Sequence, residues 1–326
     1  MSIAARPVLV VAEQLDAAAD MVVDQLNLRG VPVMRFDVAE FPQRLTLTGR
    51  HLPTEPGWSG AIDDGRRTVR LERVRAVYWR RPARPLIAGT VPQPYHLWAQ
   101  NQADAAMLNV LAALPGVPWI NNPHADRIAS HKPQQLVAAT RCGLRVPYSL
   151  ITNSPDAARA FAKEVGGPLI CKPIVGGRLD VGEDRQLMVA THRVDAADFD
   201  DSVNITAHYF QENIPKVYEV RLIAVGGQVF GGKLTTTSEA AGTDWRTDYE
   251  HIEYDTVDVP DHVATGVRRF LAHYGIVFGA FDFAVTPEGE WVFFENNPAG
   301  TWGWVENRTG LPIAAAHADY LAGAQL

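Results

Sequence analysis

Cysteine is nearly absent from this chain of 326 residues, where Cys142 and Cys171 are the only two. That is too few for a disulfide framework or a cysteine-ligated zinc site. Long apolar runs are missing as well. No stretch approaches the roughly 18 apolar residues that would cross a bilayer. The N-terminal MSIAARPVLVVAEQLD runs into Glu13 and Asp16 instead of a signal-peptide cleavage region. Positive charge is in deficit, 30 Lys and Arg against 37 Asp and Glu for a net of −7. This argues against a broad cationic face for nucleic acid or anionic lipid. Glycines are lacking after the first apolar run, Pro7–Ala12, where a dinucleotide-binding turn would need them and the chain has Glu13-Gln14-Leu15-Asp16. A pyridine-nucleotide oxidoreductase is therefore not supported. The expectation is a cytoplasmic protein with neither nucleic acid nor membrane as partner. Its composition, 47% hydrophobic and 21% charged, is that of an ordinary globular chain.

The organisation predicted from pattern is mixed α/β and α+β. Pro7–Ala12 reads as a buried strand, followed by an amphipathic helix to Leu28 and a strand at Pro32–Phe36, the opening of a parallel layer. Residues 50–75 are polar, with a hairpin around Asp63-Asp64-Gly65. A strand Ala76–Trp79 ends in Arg80-Arg81-Pro82, and a helix Gln93–Ala113 and strand Val117–Ile120 complete the layer, placing a first boundary near residue 120. A helix over Ser130–Gly143 carries Leu136, Val137 and Thr140 on one stripe. Ser154-Pro155 starts another helix and Gly166-Gly167 ends it. The strand Leu169–Ile174 precedes Gly176-Gly177-Arg178. Three antiparallel units follow an acidic hairpin: Ala207–Gln211, Tyr218–Leu234 folded at Gly226-Gly227, and Gly279–Asn297 folded at Glu288-Gly289. A helix Val263–His273 interrupts them.

The last hairpin carries the most chemistry. A two-residue turn at Glu288-Gly289 sets Asp282 directly across from Glu295, with Cβ atoms about 5 Å apart on a shared face. Phe281, Phe283, Phe293 and Phe294 flank them, so the ladder is largely buried. Two carboxylates placed there repel each other and are desolvated, which a divalent cation between them would relieve. Asn297 points to the same face and adds a third oxygen, a donor set that suits Mg²⁺. A protonated carboxyl, or acids turned to solvent, is the competing reading. A four-residue loop over Pro287–Glu290 keeps this register, whereas a bulge would break the argument.

Lys172 sits within the apolar Leu169–Ile174 run and leads into the glycine loop, so it is placed to meet a phosphate. Equally, Pro173 permits an edge strand on which the lysine serves solubility. Lys132 stands beside Pro133 at a helix start, suited to phosphate or to simple solvation. Gln211-Glu212-Asn213-Ile214-Pro215 closes a strand and can link two lobes. Beyond it, Glu219 and Arg221 share a strand face. A three-residue turn at Gly226-Gly227-Gln228 would bring Lys233 opposite Arg221 as an anion clamp, and a two-residue turn would place Lys233 on the other face.

The ordered set of Lys132, Lys172 before a glycine loop, Gln211-Glu212-Asn213-Ile214, Glu219-Val220-Arg221, Asp282 and Glu295-Asn296-Asn297-Pro298 resembles the ATP-grasp superfamily of carboxylate–amine ligases. The resemblance implies an N-terminal parallel α/β domain (1–120) followed by two α+β lobes (121–212 and 213–326) enclosing ATP. It implies that Lys132 and Lys172 contact ATP phosphates, that Gln211, Glu212 and Ile214 flank the adenine, and that Glu219 binds the ribose. It makes Asp282, Glu295 and Asn297 the Mg²⁺ ligands. Four further segments, Tyr78-Trp79-Arg80-Arg81-Pro82, Asp244-Trp245-Arg246, Tyr218-Glu219-Val220-Arg221 and Asn297-Pro298-Ala299-Gly300-Thr301-Trp302-Gly303-Trp304, are similar to those of graspetide synthetases, the microviridin-type peptide ligases. Thr301 departs from the glutamine of many members. For Trp302 and Trp304, ordinary core packing is an equal reading.

The narrower resemblance implies a macrocyclase acting on a ribosomally made precursor peptide with a leader segment, and a homodimer, since members of the family are often dimers. ATP would convert Asp or Glu side chains of the peptide to acyl phosphates for attack by a Thr or Ser hydroxyl or a Lys amine. Arg221, Arg246 and, less directly, Lys233 would hold the acceptor carboxylate or the acyl phosphate. The alternatives are a ligase that joins amino acids or adds glutamate to a protein tail, and a non-catalytic nucleotide-sensing module.

Overall fold

The computed structural model describes residues 6–176, 178–182, 186–236 and 249–323. β1 (Val8–Ala12), α1 (Ala17–Leu28) and β2 (Val33–Phe36) form the expected parallel unit. Asp16 caps α1, its carboxylate accepting from the Ala19 amide at 2.8 Å. A three-stranded antiparallel sheet follows, β3 (Thr46–His51), β4 (Trp58–Asp63) and β5 (Thr68–Arg70). The hairpin expected near Asp63 joins β4 to β5. Sequence pattern does not reveal β3, because its residues are mostly exposed and carry no alternation. β6 (Ala76–Arg80), α2 (Tyr95–Ala112) and β7 (Trp119–Ile120) complete a parallel sheet in the order β2-β1-β6-β7. Val8, Val10 and Ala12 of β1 face α1, whereas Leu9 and Val11 face α2 and the three-stranded sheet. Burial on both sides is what an unbroken apolar strand requires.

A short helix, α3 (Pro123–Ala129), precedes α4 (Lys132–Arg141), which stands where one helix was expected over 130–143. Of the expected stripe only Leu136 packs against the core, and Thr140 is exposed. Val137 is 52% exposed, and α4 buries Gln135, Ala138 and Ala139 instead. The reason is that α4 packs on the C-terminal sheet through the small Ala138 and Ala139 and through Gln135, whose amide bonds to the Asn296 backbone.

The central lobe continues with β8 (Ser149–Thr152), α5 (Pro155–Val165), β9 (Leu169–Lys172), β10 (Arg178–Asp180), β11 (Gln186–Met188), β12 (His192–Val194) and β13 (His208–Glu212). β12-β9-β13-β8 form one sheet and β10-β11 a separate hairpin. α5 begins and ends where the sequence indicates. Ser154 Oγ accepts from the Ala157 amide, and Gly166 closes the helix at φ 68°. β9 stops at Lys172, short of the expected Ile174, because Pro173 has no amide to donate.

The C-terminal lobe comprises β14 (Tyr218–Val225), β15 (Gln228–Thr236), β16 (Ile252–Val257), α6 (Asp261–Tyr274), β17 (Phe278–Val285), β18 (Trp291–Asn297), α7 (Gly303–Thr309) and α8 (Ile313–Ala322). Its five strands are antiparallel in the order β16-β15-β14-β17-β18. Phe281, Phe283 and Phe293 pack with Phe270 of α6 on one face. Each such side chain contributes about 1.5–3 kcal/mol of burial. Ala129, Ala138, Ala139 and Leu144 join that core, so α3 and α4 pack with the C-terminal sheet although they precede the central one. Likewise Ile313, Ala316 and Leu321 of α8 close the core over Val8, Val10 and Tyr78. Side chains from distant parts of the chain thus share these two cores. No helix among the described residues is long and apolar enough to cross a membrane.

His317 of α8 is fully buried, stacked on Trp302 with centroids 4.6 Å apart, and its Nδ1 donates to the Ile313 carbonyl at 2.8 Å. Burial pushes its pKa down to about 3. The folded state thus holds this imidazole neutral, while the unfolded chain protonates near its ordinary pKa of about 6.5. Stability is complete above that value and falls as the pH drops below it. Urea denaturation from pH 7 to pH 4.5 is expected to show a shallower loss for His317→Phe than for wild type. Parallel pH slopes for the two proteins would refute this.

Candidate functional site

Three neighbouring strands place a row of charge on one face of the C-terminal sheet. Arg221 of β14 lies across from Asp282 of β17, and Asp282 lies across from Glu295 of β18. The opposition expected for the two acids is present, but the turn assumed for it is not. Val285 pairs with Trp291, and Pro287-Glu288-Gly289 form a three-residue loop closed by the Thr286 amide on the Glu290 carbonyl at 3.0 Å. Gly289 takes φ 82°, the left-handed position this loop requires. That odd loop alone would misalign the acids by one residue. A bulge between Asp282 and Phe283, with Phe294 as the extra residue, restores the register.

Both acids have cationic partners. Arg221 Nη1 donates to Asp282 Oδ1 at 2.7 Å with both side chains almost wholly buried, and Lys132 Nζ lies 3.3 Å from Glu295 Oε2. α4 is fastened for this purpose by Gln135, whose Nε2 donates to the Asn296 carbonyl at 2.8 Å while its Oε1 accepts from the Asn296 amide at 2.9 Å. Lys132 also donates to the Pro173 carbonyl at 2.9 Å, so it joins the two lobes at the acids. Asn297 shares the face of Asp282 and Glu295 and is exposed. Among the described residues no group of three or more His, Cys, Asp or Glu could hold a metal unaided. Two carboxylates and an amide oxygen nevertheless fit Mg²⁺, which usually completes its shell with water and phosphate oxygens.

The central lobe presents a second polar face. Gln211, completely buried, accepts from Lys172 Nζ at 2.9 Å and donates through Nε2 to Ser149 Oγ at 2.8 Å and Tyr209 Oη at 3.0 Å. Lys172 Nζ also lies 4.8 Å from the centroid of the Tyr209 ring. The register explains this cluster, since Tyr209 pairs with Lys172 and Gln211 with Ser149. Burial first, and the Glu295 carboxylate in addition, raise the Tyr209 phenol above its ordinary pKa. The central face therefore looks toward the acids of the other lobe. Alternation along β13 could have indicated Tyr209 once Gln211 was singled out.

Between the faces runs the linker. Glu212 Oε2 accepts from the Tyr148 amide at 3.2 Å. Ile214 is buried against Ala284 and Val292, with Phe294 packed beside them, forming an apolar floor. Glu219 accepts from Lys216 Nζ at 2.7 Å, and both side chains are largely buried. Lys216 is absent from the sequence-derived set, although its three-residue spacing from Glu219 is the available signal.

The clamp of Arg221 and Lys233 is not formed. Gly226-Gly227 make a two-residue turn, so Lys233 pairs with Val220 and Arg221 with Gly232, on opposite faces. Lys233 Nζ instead lies 4.7 Å from the Tyr218 ring centroid. Arg221 is itself committed to Asp282 and, through Nη2, to the Thr301 carbonyl at 3.3 Å. Arg246 lies outside the described residues, as do Gly177, Asp244 and Trp245. Trp302 is fully buried, as core packing requires.

Residues 7–127 match the family described as the MvdD pre-ATP grasp domain. No curated protein matches the chain significantly. Among solved structures, the macrocyclase MdnC bound with precursor peptide MdnA from Microcystis aeruginosa MRC is 24% identical, with a TM-score of 0.82 over 99% of this chain and 100% of that one. A Chryseobacterium gregarium RiPP-associated ATP-grasp ligase, in complex with ADP and a leader and core peptide, is 24% identical with a TM-score of 0.88 over 98% and 97%. The macrocyclase MdnB from the same Microcystis strain is 29% identical with a TM-score of 0.77 over 97% and 99%. The resemblance carried by scattered motifs thus extends over the whole chain, which has the fold of the ATP-grasp ligases and is similar over residues 7–127 to the MvdD pre-ATP grasp domain.

Proposed function

We propose that this protein is an ATP-dependent peptide macrocyclase that joins Asp or Glu side chains of a ribosomally made precursor to Thr or Ser hydroxyls or Lys amines of the same peptide. One observation carries the reading. The acids of one lobe and the Lys172–Gln211 cluster of the other converge across Lys132, which touches both lobes. The leader and core peptides bound by similar ligases supply the substrate class. A precursor with a leader segment is then the partner, and the cytoplasm, where such a peptide and ATP are made, is the compartment.

A carboxylate is a poor electrophile because attack on it must expel an oxide equivalent. In the proposed first step a peptide carboxylate oxygen attacks the γ-phosphorus of ATP, the bond to the β-bridging oxygen breaks, and ADP leaves. In the second, a hydroxyl or amine attacks the acyl carbon, loses its proton, and expels phosphate. Each ring removes one water equivalent from the peptide. Lys132 and Lys172 are assigned to the phosphates, and Gln211, Glu212 and Ile214 to the adenine. Glu219 is assigned to the ribose. Asp282, Glu295 and Asn297 would hold Mg²⁺, which neutralises phosphate charge when bound. Lys132 would then pass from Glu295 to a phosphate oxygen. Arg221 supplies positive charge beside Asp282, and Arg246 is assigned to the acceptor carboxylate. Phosphoryl transfer of this kind is mostly positioning and charge neutralisation.

Lys172→Ala and Glu295→Gln are expected to lower peptide-dependent ADP formation by about a hundredfold or more, with unchanged circular dichroism. Normal turnover in either variant would remove the site assignment. Asp282→Asn should be equally inactive but less stable, because it strands the buried Arg221 guanidinium. Such a loss costs about 3–5 kcal/mol, measurable as a fall in Tm.

Co-expression with small acidic, Thr-rich open reading frames encoded nearby, read by intact mass, tests the reaction. Loss of one water per ring is the expected outcome. A mass gain would indicate addition of amino acids instead, and ATP binding without ADP release on any peptide would indicate a nucleotide sensor.

A further inference from the structure

The segment that leaves β18 has its carbonyls taken, one after another, by side chains from distant parts of the chain. Asn121 Nδ2 donates to the Pro298 carbonyl at 3.0 Å. Arg80 Nη1 donates to Ala299 at 2.9 Å and to Gly300 at 3.3 Å. Arg81 Nε reaches the same Ala299 carbonyl at 2.8 Å. Arg221 Nη2 takes the Thr301 carbonyl at 3.3 Å. Three of these four donors belong to the MvdD pre-ATP grasp domain, whose family match ends at residue 127.

The donors are themselves held. Asn121 is 2% exposed and fully engaged, donating also to the Phe278 carbonyl and accepting from the Val277 and Phe278 amides at 3.0 Å. Arg80 is 5% exposed, with Asp16 Oδ2 3.4 Å from its Nε. Among the described residues Arg81 is the one non-glycine with positive φ, 42°. Strained backbone of this kind persists only where its surroundings enforce it. The segment has no slack either. A Cβ on Gly300 would stand 2.6 Å from Ala280 Cβ and 2.9 Å from Arg221 Nη2.

Simple glue between two domains would not need to end where this contact does. The clamped segment begins at the residue after Asn297, and the Gly300 amide donates back to the Asn297 carbonyl at 3.0 Å. Arg221 divides its guanidinium between Thr301 and Asp282. Any displacement of the segment is thereby passed to both.

We infer that Arg80, Arg81 and Asn121 are positioning residues for the divalent cation, fixing residues 298–301 so that Asn297 and Asp282 keep the spacing a metal requires. The N-terminal domain then contributes to the nucleotide site from outside it. This rests on the assignment of Asp282, Glu295 and Asn297 to Mg²⁺.

The test uses the full-length protein, with Mn²⁺ and ADP as probes and Arg81→Ala, Arg81→Lys and Arg80→Lys as variants. Arg81 is exposed, so its replacement should leave the thermal midpoint of the ligand-free protein unchanged. Hydrogen exchange over residues 297–304 should accelerate in Arg81→Ala and Arg80→Lys. Calorimetry should show Mn²⁺-dependent ADP affinity weakened by about tenfold, the scale for supports behind a metal ligand. ADP affinity in EDTA should stay level, and Arg81→Lys should recover part of the loss. Unchanged exchange in both variants would overturn the clamp. Faster exchange with wild-type Mn²⁺-dependent affinity, or an equal loss in EDTA, would overturn the positioning role. Wild-type protein indifferent to Mn²⁺ would instead sink the metal assignment itself, taking this inference with it.

Discussion

The site depends on the buried contact between Arg221 and Asp282. A guanidinium and a carboxylate removed from water at 2.7 Å are tolerable only while both stay in place. Strand register is what keeps them there. Arg221 and Asp282 face each other because β14 and β17 pair without offset along their length, and Glu295 joins them because a bulge on β18 cancels an odd-numbered loop. A one-residue slip anywhere in that path would turn an acid into the aromatic core on the opposite face. The phenylalanines that pack there oppose such a slip, so apolar burial on one side of the sheet sets the charge geometry on the other.

The second lobe is brought to this row by one lysine. Lys132 stands at the first position of α4, a helix that belongs to the C-terminal lobe by packing, yet its ammonium reaches the Pro173 carbonyl of the central lobe. Glu295 then sits between a cation on its own lobe and a phenol on the other. Opposed acids need compensation, and among the described residues Arg221 and Lys132 supply it. That arrangement suits a site where a metal and a polyanion exchange places with protein charges. Burial raises the thiols of both Cys142 and Cys171 above their ordinary pKa, which disfavours the thiolate at either position.

How far the sequence could be read depended on how local the cause was. The run at Val8–Ala12, the cap at Ser154, the stop at Gly166 and the folding at Gly226-Gly227 all arise from chemistry within a few residues, and each is where the pattern indicates. Lys233 could not be placed, because turns of two and three residues fit the same glycines and give opposite faces. The buried face of α4 is not the one its sequence suggests, since Leu136 packs only at the edge of the core and Val137 is exposed, while Ala138, Ala139 and a hydrogen-bonded Gln135 are buried. Asp282 and Glu295 face each other without the two-residue turn expected at Glu288-Gly289. Neither the loop nor the bulge that compensates for it has a sequence signal strong enough to read alone.

Composition and short-range pattern by themselves determined the absence of a disulfide scaffold, the alternation of parallel and antiparallel layers, and the identity of the acids and lysines from which a site could be built. Those properties follow from residue type and from periodicities of two and of 3.6, which act over a single element. Tertiary structure alone decided that α3 and α4 join the C-terminal sheet and that α8 closes the first layer. It also decided that Arg80, Arg81 and Asn121 grip a segment 177 to 220 residues away. Such contacts have no period. They depend on which faces remain unburied once each sheet has formed, and that is a property of the assembled surfaces, not of any one stretch of chain.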